Sequence, residues 1–174
     1  MAIRIKTKED IATLREGGKR HAAILQKVAE HVRPGIATIE LDKIAHDLIR
    51  ADGDIPSFLN FSPQGAKFPF PGSICVSVND EIVHGIPGNR ILKTGDIVKL
   101  DLGLTHDKLI TDAAITVAVG TPSKANEELM YHTEKALEAG IRAAKGGATV
   151  PDIGEAIERY LLGHNINIMD DLCG

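Results

Sequence analysis

Apolar residues recur at helical spacing through residues 8–32, where Ile11, Leu14, Ala22, Leu25, Val28 and Ala29 fall on one stripe and Pro34-Gly35 closes the run. Residues 38–51 repeat the pattern, with Leu41, Ile44, Ala45 and Leu48 on one face and Thr38 as the expected N-cap. The stretch 52–72 is rich in Pro and Gly and has no period, and an irregular stretch of that length inside a domain is usually functional. Three extended segments follow: 73–79 is β-rich, 96–104 alternates cleanly, and 108–119 alternates less cleanly. Residues 122–144, closed by Gly146-Gly147, read as a helix. So do residues 150–162, with Pro151 in the first turn and Gly163 at the end. Helices, then strands, then helices predict an α+β fold with an antiparallel sheet, in a single domain over residues 1–174.

Composition narrows the function classes. The chain has 174 residues, 43% hydrophobic and 25% charged, which suits a globular protein with a sizeable core. Its net charge of -4 and scattered Lys and Arg leave no basic footprint, so nucleic acid is not an expected partner. No apolar run approaches the ~18 residues of a membrane span, and the first ten residues lack the apolar core of a signal peptide. Cys75 and Cys173 lie far apart with no CxxC, which fits a reducing cytoplasm and argues against a disulfide scaffold. Aromatic residues make up 3%, and all four Phe lie between positions 58 and 70.

The most informative local chemistry is in the two later strands. Along 97–104, Val98, Leu100, Leu102 and Leu104 point one way, and Lys99, Asp101 and Gly103 the other. A return through the polar segment 105–108, centred between His106 and Asp107, sets Asp101 directly opposite Asp112. Like charges so placed destabilise a sheet. Two adjacent carboxylates persist when one binds a proton or both bind a cation, and oxygen-only donors suit a divalent ion. The alternative is that Asp112 caps or breaks a strand while Asp101 sits at a solvated edge; the residues alone leave both open.

The run 73–103, SICVSVNDEIVHGIPGNRILKTGDIVKLDLG, resembles the core signature of type I methionine aminopeptidases, and PSFLNF at 56–61 and KFPFPGSIC at 67–75 extend the likeness upstream. The resemblance implies the N-terminal half of a pita-bread fold, with an antiparallel sheet covered by helices. In the complete fold two similar α+β halves enclose a dinuclear centre of divalent ions (Co, Mn, Fe or Zn). It implies removal of the initiator Met from nascent peptides, with the ribosome as a further candidate partner. Carried over residue by residue, Asp101 and Asp112 match metal ligands. His84 matches the histidine that contacts substrate beside the scissile bond, and Phe58, Phe61, Phe70 and Cys75 match the pocket for the methionine side chain. Read alone, His84 is a loop histidine and the Phe residues are core. The chain departs from the pattern in Lys108-Leu109-Ile110-Thr111, where the family usually has an aromatic or Gly-containing turn, and in a greasier pocket, where the family often has Tyr or Cys at some positions.

The family's site also needs one His and two Glu. The His lies in an HGxG motif directly after a segment resembling residues 170–174, where this chain stops. His164, beyond a helix C-terminus, reads as ordinary capping chemistry, and Glu155 and Glu158 as solvent-facing. Two carboxylates make a weak site, so the expectation is little or no activity for this chain alone, and a homodimer or a companion C-terminal half to cover the sheet. A metal-free peptide- or protein-binding module is the alternative from another class. A further alternative is another pita-bread hydrolase, such as an Xaa-Pro peptidase, which shares the two aspartates.

Overall fold

The computed structural model of the chain describes residues 5–164 and 166–169. They fall into two compact units, Met1–Pro122 and Ser123–Gly174. In the first unit, α1 (Lys8–Glu30) starts where Thr7 and Asp10 cap it reciprocally. The Thr7 hydroxyl accepts from the Asp10 amide at 3.1 Å, and the Asp10 carboxylate accepts from the Thr7 amide at 3.0 Å. Its buried stripe includes His21, Ile24, Leu25 and Val28.

Helix α2 spans Thr38–Ala51, and here the expected N-cap moves by one residue. Ala37 occupies the cap, with its amide donating to the Glu40 carboxylate at 2.8 Å. Thr38 is already helical, because its hydroxyl has a tertiary partner: it donates to the Gly88 carbonyl at 3.0 Å and accepts from the Gly88 amide at 2.9 Å.

Four antiparallel strands form the sheet: β1 (Ile55–Pro56), β2 (Ile74–Val78), β3 (Ile97–His106) and β4 (Leu109–Ala118). Strand β1 falls within the stretch that showed no period in sequence. β3 is the central strand. β4 runs along its whole length on one edge, while β2 and β1 share the other edge in tandem. Val98, Leu100, Leu102 and Leu104 are fully buried in a core shared with Ile24, Leu25 and Val28 of α1 and Leu41, Ala45 and Ile49 of α2. Burying each such aliphatic side chain contributes about 1.5–3 kcal/mol, which fixes the face that β3 turns to the helices. Lys99, Asp101 and Gly103 therefore face the other side.

The hairpin between β3 and β4 turns at Asp107 and Lys108, one residue later than the sequence suggests. Both residues are left-handed, with φ of 45° and 69°, as a two-residue primed turn requires. His106 pairs with Leu109, Asp101 with Ala114, and Gly103 with Asp112. The expected direct opposition of Asp101 and Asp112 is thus corrected to a diagonal. Moving the turn centre by one residue shifts each pairing by two, so the acids still share a face.

In the second unit, Ser123 caps α3 (Lys124–Ala143) by accepting from the Asn126 amide at 3.2 Å, and α4 (Val150–Leu162) carries Pro151 in its first turn. The two helices approach closely at Gly140, where a Cβ would lie 3.0 Å from Ile157 Cδ1. His132 Nδ1 lies 3.0 Å from the Tyr160 hydroxyl, and its ring stacks on His164 at 4.1 Å. Among the described residues, no helix is long and apolar enough to cross a membrane.

Replacing Leu100 by Ala, which removes a fully buried branch from the central strand, is expected to cost about 2–5 kcal/mol. Ile110→Ala, at a side chain 61% exposed, should change stability by less than about 0.5 kcal/mol. Urea denaturation of the two variants checks the assignment of faces.

Candidate metal centre

Asp101 and Asp112 are presented by neighbouring strands on the face turned away from the helices. Across an antiparallel pair, diagonal neighbours lie within reach of each other's side chains, and these two carboxyl groups are in hydrogen-bonding contact. Burial first, then the charge and hydrogen bond of Asp112, raise the Asp101 carboxyl to about 6, against a smaller opposing pull from His84. In the absence of a cation the pair therefore holds a proton well into the range where an isolated aspartate is charged. Asp112 itself is exposed, so the pair opens outward and can accept a ligand. Among the described residues, no group of three or more His, Cys, Asp and Glu side chains is placed to hold a metal; Asp101 and Asp112 bring two carboxylate ligands.

His84 is close enough to influence Asp101, and the backbone holds it there in an unusual conformation. Its φ is 59°, which a residue with a side chain adopts at a cost and which is frequently found at functional sites. The next residue explains why the conformation persists. Gly85 hydrogen-bonds to β2 in both directions, its carbonyl accepting from the Val76 amide at 2.9 Å and its amide donating to Ser77 Oγ at 3.0 Å. A Cβ at Gly85 would sit 2.3 Å from the Val76 carbonyl oxygen, so only glycine permits this contact.

An apolar wall adjoins the acids. Phe58 packs on Gly103, the residue directly opposite Asp112, so closely that a Cβ there would lie 2.7 Å from the ring. Phe70 meets Phe58 edge to face with centroids 6.4 Å apart, a favourable aromatic geometry. Cys75 pairs directly with Asp101 across β2 and β3. Burial, followed by the charges of Asp101 and Asp112, pushes its thiol up to about 12. It is a neutral, soft wall group and not a nucleophile.

Phe61 differs from its neighbours. Its ring is 59% exposed, and its backbone makes the link, with the Phe61 amide donating to the Phe58 carbonyl and the Phe70 amide to the Phe61 carbonyl. Glu155 and Glu158 are exposed, as expected. Residues 170–174, which carry the segment preceding the expected HGxG motif, lie outside the described residues.

Sequence reasoning missed Gly85 and Gly103, whose role is to have no side chain. It also missed His21 and Thr111, which lie behind Asp112. The signal for His21 was available: it stands seven residues after Leu14 and four before Leu25, on the apolar stripe of α1. Burial holds its imidazole below the usual histidine range, against the opposing pull of Asp112.

Residues 12–174 match the metallopeptidase family M24. The chain is 38% identical over 169 residues to methionine aminopeptidase 1 of Bacillus subtilis, covering 97% of this chain and 66% of that relative. The crystal structure of methionine aminopeptidase from Rickettsia prowazekii superposes with a TM-score of 0.88 at 35% identity, covering 94% of this chain and 64% of that one. That of methionine aminopeptidase from Thermotoga maritima gives 0.91 at 30% identity, covering 99% and 68%. The chain thus spans about two thirds of the length of the curated relatives it matches.

The raised Asp101 carboxyl has a definite effect on stability. The folded chain keeps that proton up to pH of about 6, whereas the unfolded chain releases it near 3.8, so in EDTA the wild type loses stability as pH rises from 4 to 6. Asp101→Asn escapes this loss. It should be about 1–2 kcal/mol more stable than wild type at pH 7.5, with no difference below about pH 4. A gap that stays constant between pH 4 and 8 in urea denaturation would contradict the assignment.

Proposed function

The chain belongs to metallopeptidase family M24, and on that premise we propose that it carries two metal ligands, the substrate histidine and the side-chain pocket of a methionine aminopeptidase. The observation that carries this proposal is the contact between Asp101 and Asp112. Two carboxyl groups sharing a face, one of them with its affinity for a proton raised by burial and by the other's charge, fit a site for divalent cations better than they fit a sheet. The donors are hard oxygens, they open outward, and a pair of carboxylates can bridge two ions. When bound, divalent ions would supply Lewis acidity, activating water and polarising the scissile carbonyl.

The other residues act on the peptide. The wall of Phe58, Phe70 and Cys75 suits an unbranched thioether, whose polarizable sulfur packs favourably against aromatic edges. Such a wall selects the first residue of the peptide and sets its carbonyl beside the two acids. His84, held rigidly by Gly85, would donate a hydrogen bond to the oxygen that gains charge as water adds, and so stabilise the tetrahedral species. Fixing Cys75 on β2, His84 on the segment after it and the two Phe on the segment before it lowers the entropic cost of bringing the carbonyl into position. Two carboxylates fall short of the three or more protein ligands that keep a catalytic ion bound. A companion C-terminal half, or a second copy of the chain, is the expected source of the rest and of a cover for the acidic face.

Calorimetric titration with Mn(II) at pH 7.5 should show weak binding to the chain, lost in both Asp101→Asn and Asp112→Asn. Release of Met from a Met-Ala-Ser peptide by this chain alone should stay near background. An absence of metal-dependent heat from the wild type, with the peptide still binding, would replace the enzyme by a metal-free peptide-binding module. Robust metal-dependent release of Met would show instead that two carboxylates suffice.

A further inference from the structure

His21 is 2% exposed in the middle of α1, where an aliphatic residue would pack without any polar group to satisfy. Its Nδ1 lies 3.0 Å from Thr111 Oγ1, and the imidazole also lies against the backbone of Thr111 and Ala113. These are the two residues that flank Asp112. Thr111 pairs with Leu104 and Ala113 with Leu102, so both turn their side chains toward the helices while Asp112 points the opposite way, toward Asp101. Nε2 is buried and makes no formed hydrogen bond, so among the described residues the ring is oriented by Thr111, through its hydroxyl, and by the adjoining β4 backbone. Beside this contact α1 and β4 leave a groove of about 350 Å³ that reaches Gly18, Thr111 and Asp112. Strand β4 pairs with β3 alone among the described strands. The ladder with β3 sets the register of β4, and the buried contact of Thr111 with His21 tethers the strand from the helix side at the position next to Asp112.

The geometry points to His21 as a positioning residue that, through Thr111, holds the β4 segment around Asp112 so that its carboxyl group meets Asp101. The inference rests on the proposed metal-ligand role of Asp112 for its use, though not for its geometry. Outer partners of this kind commonly change metal affinity by about 10–100-fold when removed. His21 touches neither substrate nor metal, and its effect is on where a ligand points.

Thr111→Val removes the hydroxyl at nearly constant shape, His21→Ala removes the ring, and His21→Asn keeps a polar group near the Nδ1 position. Three-bond couplings in the metal-free, isotopically labelled chain report the Asp112 side-chain rotamer directly, and amide spectra report whether each variant is folded. The wild type should show one dominant Asp112 rotamer, His21→Ala and Thr111→Val an average of several, and His21→Asn a return to one. In Mn(II) titrations His21→Ala and Thr111→Val should weaken binding about tenfold, with His21→Asn within about threefold of wild type. If His21→Ala fails to fold, Thr111→Val decides. An unchanged Asp112 rotamer in folded Thr111→Val overturns the inference, even where the wild type binds Mn(II). Averaging in Thr111→Val with no Mn(II) binding by any chain upholds the positioning role and removes the metal-ligand proposal.

Discussion

Two negative charges on one face of a β-hairpin repel, and a protein that keeps them there must neutralise that repulsion somehow. In this chain Asp101 and Asp112 touch across a diagonal of β3 and β4, and below a pH of about 6 the repulsion is relieved by a proton on Asp101. The surrounding architecture puts both acids on one face. The buried run Val98, Leu100, Leu102 and Leu104 commits β3 to the helices on one side, which leaves Asp101 no other direction. The ten-pair register with β4 then sets Asp112 on the same side. Gly103, directly opposite Asp112, is bare so that Phe58 can close over it. The apolar core on one face and the acidic pair on the other follow from the same alternation.

Much of this was legible in sequence. The alternation in β3 gave its inward face, the two flanking α-helical stretches gave the cover, and the resemblance around VNDEIVHGIP and GDIVKLDLG gave the family. The pita-bread type of antiparallel sheet under helices is what the solved relatives share with the chain. The register was not legible, because it depends on a turn whose residues give a weak signal. Asp107 and Lys108 both adopt positive φ, a conformation usually left to Asn and Gly, and Lys is a poor advertisement for it. The sharing of a face survived the error only because strand pairing shifts in steps of two when the turn centre moves by one.

The remaining omissions have a common physical origin. Helix propensity and hydrophobic period describe an element by itself, whereas Thr38, Gly85 and His21 are chosen for a neighbour far away in the chain. Thr38 leaves the cap position because Gly88 engages its hydroxyl. Gly85 is a glycine because β2 leaves no room for a side chain. His21 interrupts an apolar stripe because a strand ninety residues on presents a hydroxyl to it. Such residues look like minor imperfections of pattern until the partner is known.

Cys75 gives the sheet a built-in clock. Buried on the central pair of strands and pushed up to about 12 by burial and its acidic neighbours, its thiol has almost no reactive anion in the native chain. Only when β2 separates from β3 does it revert to the ordinary thiol of an unfolded segment. The rate at which an alkylating reagent consumes it is therefore a measure of how often this part of the fold opens, obtained without any engineered label.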